Sequence, residues 1–146
     1  MAGDDSISQM IFFIVSIAVA GALAATFIGL SWSIGVAIDD QGDRLVDRLD
    51  TDMAIINDPT VVPYSTGNLT IYVKNLGEKM INPASLSVFV DGEYRSFSYE
   101  VMGADDDWDP GDDLTLWVVA TLGSGDHHAR VTTENAVSDT MDFRMG

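Results

Sequence analysis

The chain has 146 residues, and its 23 acidic side chains against 7 Lys and Arg give a formal charge of −16 at pH 7. A chain of that charge repels nucleic acid and gains nothing from an anionic membrane surface, so nucleic acid is not an expected partner. There is no cysteine, which excludes disulfides, thiolate metal sites and cysteine nucleophiles.

The first element is an uncharged run, residues 6–38, lying between Asp5 and Asp39. As a helix it reaches about 50 Å at 1.5 Å per residue, well beyond the roughly 30 Å of a bilayer's hydrocarbon. Its densest part, MIFFIVSIAVAGALAATFIGL (10–30), is apolar on every side and has no proline, as expected of a membrane helix or the core of a helical bundle. A conventional secretory signal peptide is not expected, because the flank MAGDD is acidic and the apolar run is too long. Small residues within the run, Ala18, Gly21, Ala22, Ala25 and Gly29, would let a second helix approach closely in lipid and so support self-association. The alternative is that small residues are simply common in membrane helices.

Beyond Ile38 the pattern becomes one-sided. Ile38, Leu45, Leu49, Met53 and Ile56 follow helical spacings while aspartates and two arginines occupy the other faces, which predicts an amphipathic continuation. Pro59 supplies the stop, with Asp58 as the last helical position, so residues 1–58 form a helical region and 59–146 a separate domain. From Thr60 the period drops to two. Strands are predicted at NLTIYVKN (68–75), SLSVFV (85–90), EYRSFSYEV (93–101), DLTLWVVAT (113–121), HHARVTT (127–133) and VSDTMDF (137–143), with a seventh if residues 61–64 pair. The Asp91-Gly92 pair between two alternating runs is a hairpin signal. Short, evenly spaced strands predict an antiparallel β-sandwich of immunoglobulin-like type, and the fold class is α+β, a long apolar N-terminal helix followed by an all-β domain. The expected core is Leu69, Ile71, Val73, Leu86, Val88, Leu114, Leu116, Val118 and Val131.

Candidate chemistry is sparse. Asp105, Asp107 and Asp109 crowd one loop with further aspartates, and a calcium ion takes six to eight oxygen ligands, so a weak cation site is weighed against a solvated acidic loop. The alternating acids, sixth glycine and closing glutamate of an EF-hand are missing, and Pro110-Gly111 supplies a plain turn. His127 and His128, adjacent in a strand, point to opposite faces and are read as solvent and edge residues. No nucleophile elbow or phosphate loop is present, so neither an enzyme nor a cofactor is expected. Asn68-Leu69-Thr70 is an acceptor sequon that matters only on an exported domain. Acidity dispersed along a chain whose only lysines are Lys74 and Lys79 is similar to the surfaces of proteins from salt-loving archaea.

An apolar spanning helix, an amphipathic extension and a small β-sandwich resemble the archaeal type IV pilin-like proteins, archaellins included. The opening MAGDDSISQMIFFIVSIAVAG, then DRLDTDMAIINDP (47–59), NLTIYVKNLG (68–77) and SLSVFVDG (85–92), resemble more closely the haloarchaeal FlaG or ArlG family of archaellum accessory proteins. The sister FlaF or ArlF family shares the plan. The resemblance implies a non-enzymatic stator component of the archaellum motor, single-pass in the cytoplasmic membrane. Its β-sandwich would lie beneath the surface layer, in complex with a FlaF or ArlF type partner. The chain departs from processed pilins in having no basic residue before the apolar run and no glutamate near the helix start, so Met1 to Asp5 is expected to stay on. Arg44 and Arg48, the basic residues near the anchor, would by the positive-inside rule lie in the cytoplasm, whereas the family implies the opposite side. Two other functions remain open: a minor pilin-like filament subunit, and an exported binding domain on a membrane tether.

Overall fold

The structure is a computed structural model that describes residues 2–103 and 105–146. The chain divides into two compact units, Met1–Asp43 and Arg44–Gly146. Helix α1 (Ala2–Asp50) carries the predicted apolar run, and its described side chains up to Leu49 are exposed on every face.

The helix stops eight residues before the expected Asp58. Met53–Ile55 is strand β1 instead, with Met53 opposite Asn75 and Ile55 opposite Val73. The stripe that predicted a longer helix is divided: Leu45 and Leu49 stay exposed, while Met53 is buried in the sandwich. Met53 and Ile55 also satisfy a period of two, and pairing along a neighbouring strand takes them.

Two antiparallel sheets follow. The first has the order β1-β3-β7-β6, with the two-residue β2 (Tyr64–Ser65) also on β3 (Asn68–Asn75); β6 is Phe97–Met102 and β7 is Asp113–Val119. The second has the order β5-β4-β8-β9, from Glu93–Arg95, Ser87–Val90, Gly125–Thr132 and Ser138–Met145. Strand β3 falls on the residues expected. The turn Asp91-Gly92 has positive φ at both positions, 53° and 81°, and joins β4 to β5 as the Asp-Gly signal requires.

The single strand expected over residues 93–101 is two strands in different sheets. β5 pairs with β4, the chain crosses at Ser96, and β6 pairs with β7. Alternation of side chains carries on through the crossing, so periodicity could not reveal it. Every expected core residue is buried. The core also takes Val90, Ala129, Met141 and Phe143 from the second sheet, Ile81 from a loop, and Trp108 from the middle of the acidic loop. Two histidine expectations part company: His127 and His128 do face opposite ways, but β8 lies between β4 and β9 and is no edge.

Candidate functional site

The apolar part of α1 is built to face an apolar medium. Phe12, Phe27 and Trp32 are 75%, 72% and 77% exposed, and Ile7, Leu23 and Leu30 are comparably open. Three of its hydroxyls bond within the helix: Ser16 donates to Phe12 O at 2.7 Å, Thr26 to Leu23 O at 2.8 Å, and Ser33 to Leu30 O at 3.0 Å. A hydroxyl bonded in this way can sit in hydrocarbon without being an unsatisfied donor. It is the one candidate membrane span among the described residues. Ala18, Gly21, Ala22, Ala25 and Gly29 are all exposed and, at spacings of three and four, share a face. A Cβ on Gly21 or Gly29 would meet no atom within 4 Å, so these positions are open notches on the helix surface.

The second candidate is the end of the helix, where the sequence suggested only an apolar stripe. Two loops of the sandwich grip it. On one side Glu78 N donates to Asp50 O at 2.8 Å, and Leu76 N and Gly77 N both donate to Asp52 O, at 2.9 and 3.0 Å. The last carbonyls of a helix have no partner within it, so the Glu78 bond caps α1 from another part of the chain, and the two bonds to Asp52 hold the chain just past its end. Backbones approach so closely here that a Cβ on Gly77 would lie 2.5 Å from Asp50 O and 2.7 Å from Asp52 N. Lys79 Nζ donates to Asp47 Oδ1 at 2.5 Å and lies 3.5 Å from Asp50 Oδ2. The Asp47 hydrogen bond first, with Asp50 adding, holds the Lys79 ammonium above its ordinary range.

The other grip comes from the β8–β9 turn. Asn135 Nδ2 donates to Thr51 Oγ1 at 2.8 Å and to Asp47 O at 3.2 Å, and Thr51 Oγ1 donates to Asp47 O at 2.7 Å. Asn135 is itself oriented by Thr133, whose hydroxyl donates to Asn135 Oδ1 at 2.6 Å. Behind the first loop stands Asn75, fully buried. Its Nδ2 donates to Lys79 O and Trp108 O at 2.9 and 3.0 Å, and its Oδ1 accepts from Gly77 N at 3.0 Å. One amide thus ties the end of β3, the loop that holds the helix and the acidic loop together. In the sequence the only trace of this was the Asn-Leu-Gly that ends β3.

The acidic loop is organised by its tryptophan. Trp108 is fully buried, and its Nε1 donates to Asp112 O at 3.0 Å. Asp105, Asp107 and Asp109 are exposed around it, with Asp107 N donating to Asp105 Oδ1 at 3.3 Å. Among the described residues no three acidic or histidine side chains converge as a metal site would need. Asn68 is exposed at the start of β3, opposite Ser65 and Val119.

A family model for archaeal-type flagellin matches residues 3–143. The chain is similar to flagella-related protein G of Methanocaldococcus jannaschii, 28% identical over 140 residues, covering 91% of this chain and 90% of that one. To flagella-related protein G of Methanococcus voltae it is 32% identical over 88 residues, 58% of this chain and 59% of the other. Among solved structures it is similar to the archaellum periplasmic stator protein FlaG from Sulfolobus acidocaldarius, at 17% identity and a TM-score of 0.44 over 64% of this chain and 99% of that chain. The periplasmic stator complex of FlaF and FlaG from the same organism gives 16% identity and a TM-score of 0.47, over 62% of this chain and 87% of the other.

Proposed function

The chain belongs to the archaeal-type flagellin family, with flagella-related G proteins among its relatives, and from that premise we propose that it is a non-enzymatic stator component of the archaellum. The carrying observation is the helix with apolar side chains exposed on every face and the Ser16 and Thr26 hydroxyls bonded internally, which suits an anchor in the cytoplasmic membrane. The sandwich would stand outside that membrane beneath the surface layer, with a FlaF-type protein as its partner. Torque turns a filament only if something fixed resists it. Here the resisting parts are the membrane helix, packed against copies of itself through the face of Ala18, Gly21, Ala22, Ala25 and Gly29, and a sandwich that grips the end of the helix through Gly77, Lys79 and Asn135. The exposed carboxylates suit concentrated salt.

Deleting the gene in an archaellated host tests this. Loss of swimming with filaments still assembled is the expected outcome; undisturbed swimming would overturn the reading in favour of a tethered binding domain. A second reading, a minor filament subunit, is favoured by the flagellin-type family match itself. Mass spectrometry of the native protein separates the two: the stator reading expects residues 2–5 retained, and the filament reading a start near Ser6 to Ser8.

A further inference from the structure

His127 stands at the meeting of three segments of the second sheet's rim. Its Nδ1 is 2.7 Å from Asp91 Oδ2 in the β4–β5 turn, and its Nε2 is 2.9 Å from Gly123 O in the β7–β8 connection. Both neighbours are acceptors. A neutral imidazole carries a single N–H and can satisfy only one of them, so the arrangement calls for the doubly protonated ring. The other oxygen of Asp91 accepts the backbone N–H of His128 at 2.9 Å, while Asp91 N donates to His128 O at 2.8 Å. The Phe143 ring, 5.7 Å away between centroids, covers a histidine side chain that keeps only 13% exposure.

We infer that His127 and Asp91 form a proton-operated latch, in which the imidazolium fastens both the β4–β5 turn and the β7–β8 connection onto β8 and the neutral ring releases one of them. The surrounding charges favour the closed form. From the β4–β5 turn and β5 come Asp91 and Arg95; from β8, Asp126 and His128; from β9, Asp142, 2.5 Å from His128 Nδ1, and Arg144, 3.6 Å from Asp126. The segment leading to Pro59 and Thr60, which flank the same depression, contributes Asp58, turned toward Thr60. Carboxylates therefore outnumber fixed cations around the ring.

The titration follows that geometry. The Gly123 carbonyl first, then Asp91, raises His127 above its ordinary value, and the His128 N–H first, then His127, holds Asp91 below its own. A raised histidine contributes stability that is complete below about pH 6.5, its unfolded value, and is lost as pH rises through the folded value. A depressed aspartate contributes above about pH 3.9 and fails as pH falls through its folded value. The latch is closed between those limits and opens on the alkaline side by losing the His127 proton.

The test is nitrogen-resolved NMR of the imidazole in the full chain in detergent micelles, with amide exchange followed over the same pH series. Expected are two N–H protons on His127 at pH 6 and a midpoint above about 6.5, each unit above it marking about a tenfold preference of the folded latch for the protonated ring. Protection of the Leu122 amide, which donates to Tyr64 Oη at 3.1 Å in the same connection as Gly123, should drop at the same midpoint beyond the intrinsic rise of exchange with pH. Asp91→Asn should lower the midpoint, and His127→Gln should abolish the step at Leu122. A single-protonated His127 at pH 6 in the unaltered protein, or exchange at Leu122 that ignores the midpoint, overturns the latch. Since both readings come from the unaltered chain, a variant that fails to fold does not shield it.

Discussion

The two units of this chain place their apolar side chains in opposite environments. In Met1–Asp43 they lie on the outside, with Phe12, Phe27 and Trp32 largely exposed, while in Arg44–Gly146 Leu69, Ile71, Leu116 and Val118 are sealed between two sheets. Folding therefore accounts for the buried core of the second unit and for none of the large apolar side chains of the first. A surface so apolar is covered by something other than this chain, and lipid or other helices are the candidates. Parallel substitutions in the two units should then differ in kind, and each prediction below either sharpens that contrast or breaks it.

The largest effects belong to the sandwich core. Leu116→Ala should destabilise the second unit by about 2–5 kcal/mol and Trp108→Ala by about 3–5 kcal/mol, measured by denaturant unfolding of the full chain in nanodiscs. Leu23→Ala, at a position 65% exposed, should leave that transition where it was. A shift with Leu23→Ala as large as with Leu116→Ala would end the distinction between the units.

Next comes the helix end. Gly77→Val would push a side chain into the Asp50 and Asp52 backbone, where nothing can move without opening the cap, so a cost of about 1–3 kcal/mol or more is expected. Gly103→Val is the matched control, because its Cβ would meet only the Asp112 side chain, which can swing away. If the two variants unfold together, the close approach at Gly77 does not hold the helix end.

These sites also mark what the sequence could reveal. Residues 68–75 and the Asp91-Gly92 turn were legible because alternation and a turn that needs positive φ are local signals. The helix end was not, because Met53 fits a helical stripe with Leu49 and Ile56 as well as a strand with Ile55, and a partner strand beginning at Asn68 decided between them. Nor was the grip on the helix legible: Lys79 meets Asp47 across 32 residues and Asn135 meets it across 88, separations over which no spacing rule operates. Trp108 was hidden by its company, a core residue inside a run of exposed aspartates. A large aromatic amid turn residues and acids was the available signal that the loop is anchored.

Smaller effects separate the two grips on α1. Asn135→Ala removes hydrogen bonds to Thr51 and Asp47 and should cost about 1 kcal/mol at any salt concentration. Lys79→Met removes an exposed ion pair, so its effect should be measurable only at low ionic strength and fade toward molar salt, where screening acts over about 3 Å. Unfolding of both variants across a potassium chloride series checks this. Equal salt dependence would mean that charge, and not hydrogen-bond geometry, holds the β8–β9 turn to the helix.

The smallest effect on folding, and the sharpest contrast, is expected from Gly21→Leu and Ala25→Leu. A Cβ on Gly21 has open space around it, so nothing within the chain resists a larger side chain, and unfolding of the sandwich should not change. Membrane retention should hold or strengthen, since leucine is the more hydrophobic residue. Association should be lost, because close approach of helices in lipid relies on small residues at their contact and a leucine there holds the backbones apart. Cysteine pairs placed along the face from Ala18 to Gly29, usable because the chain has no cysteine of its own, report that contact directly in native membranes. Cross-linking in the parent and its loss in the leucine variants is the expected pair of results. Failure to cross-link in the parent would mean that lipid alone covers this surface and that whatever assembles the protein acts through the sandwich, whereas undiminished cross-linking in the leucine variants would mean that the helices meet without relying on these small residues.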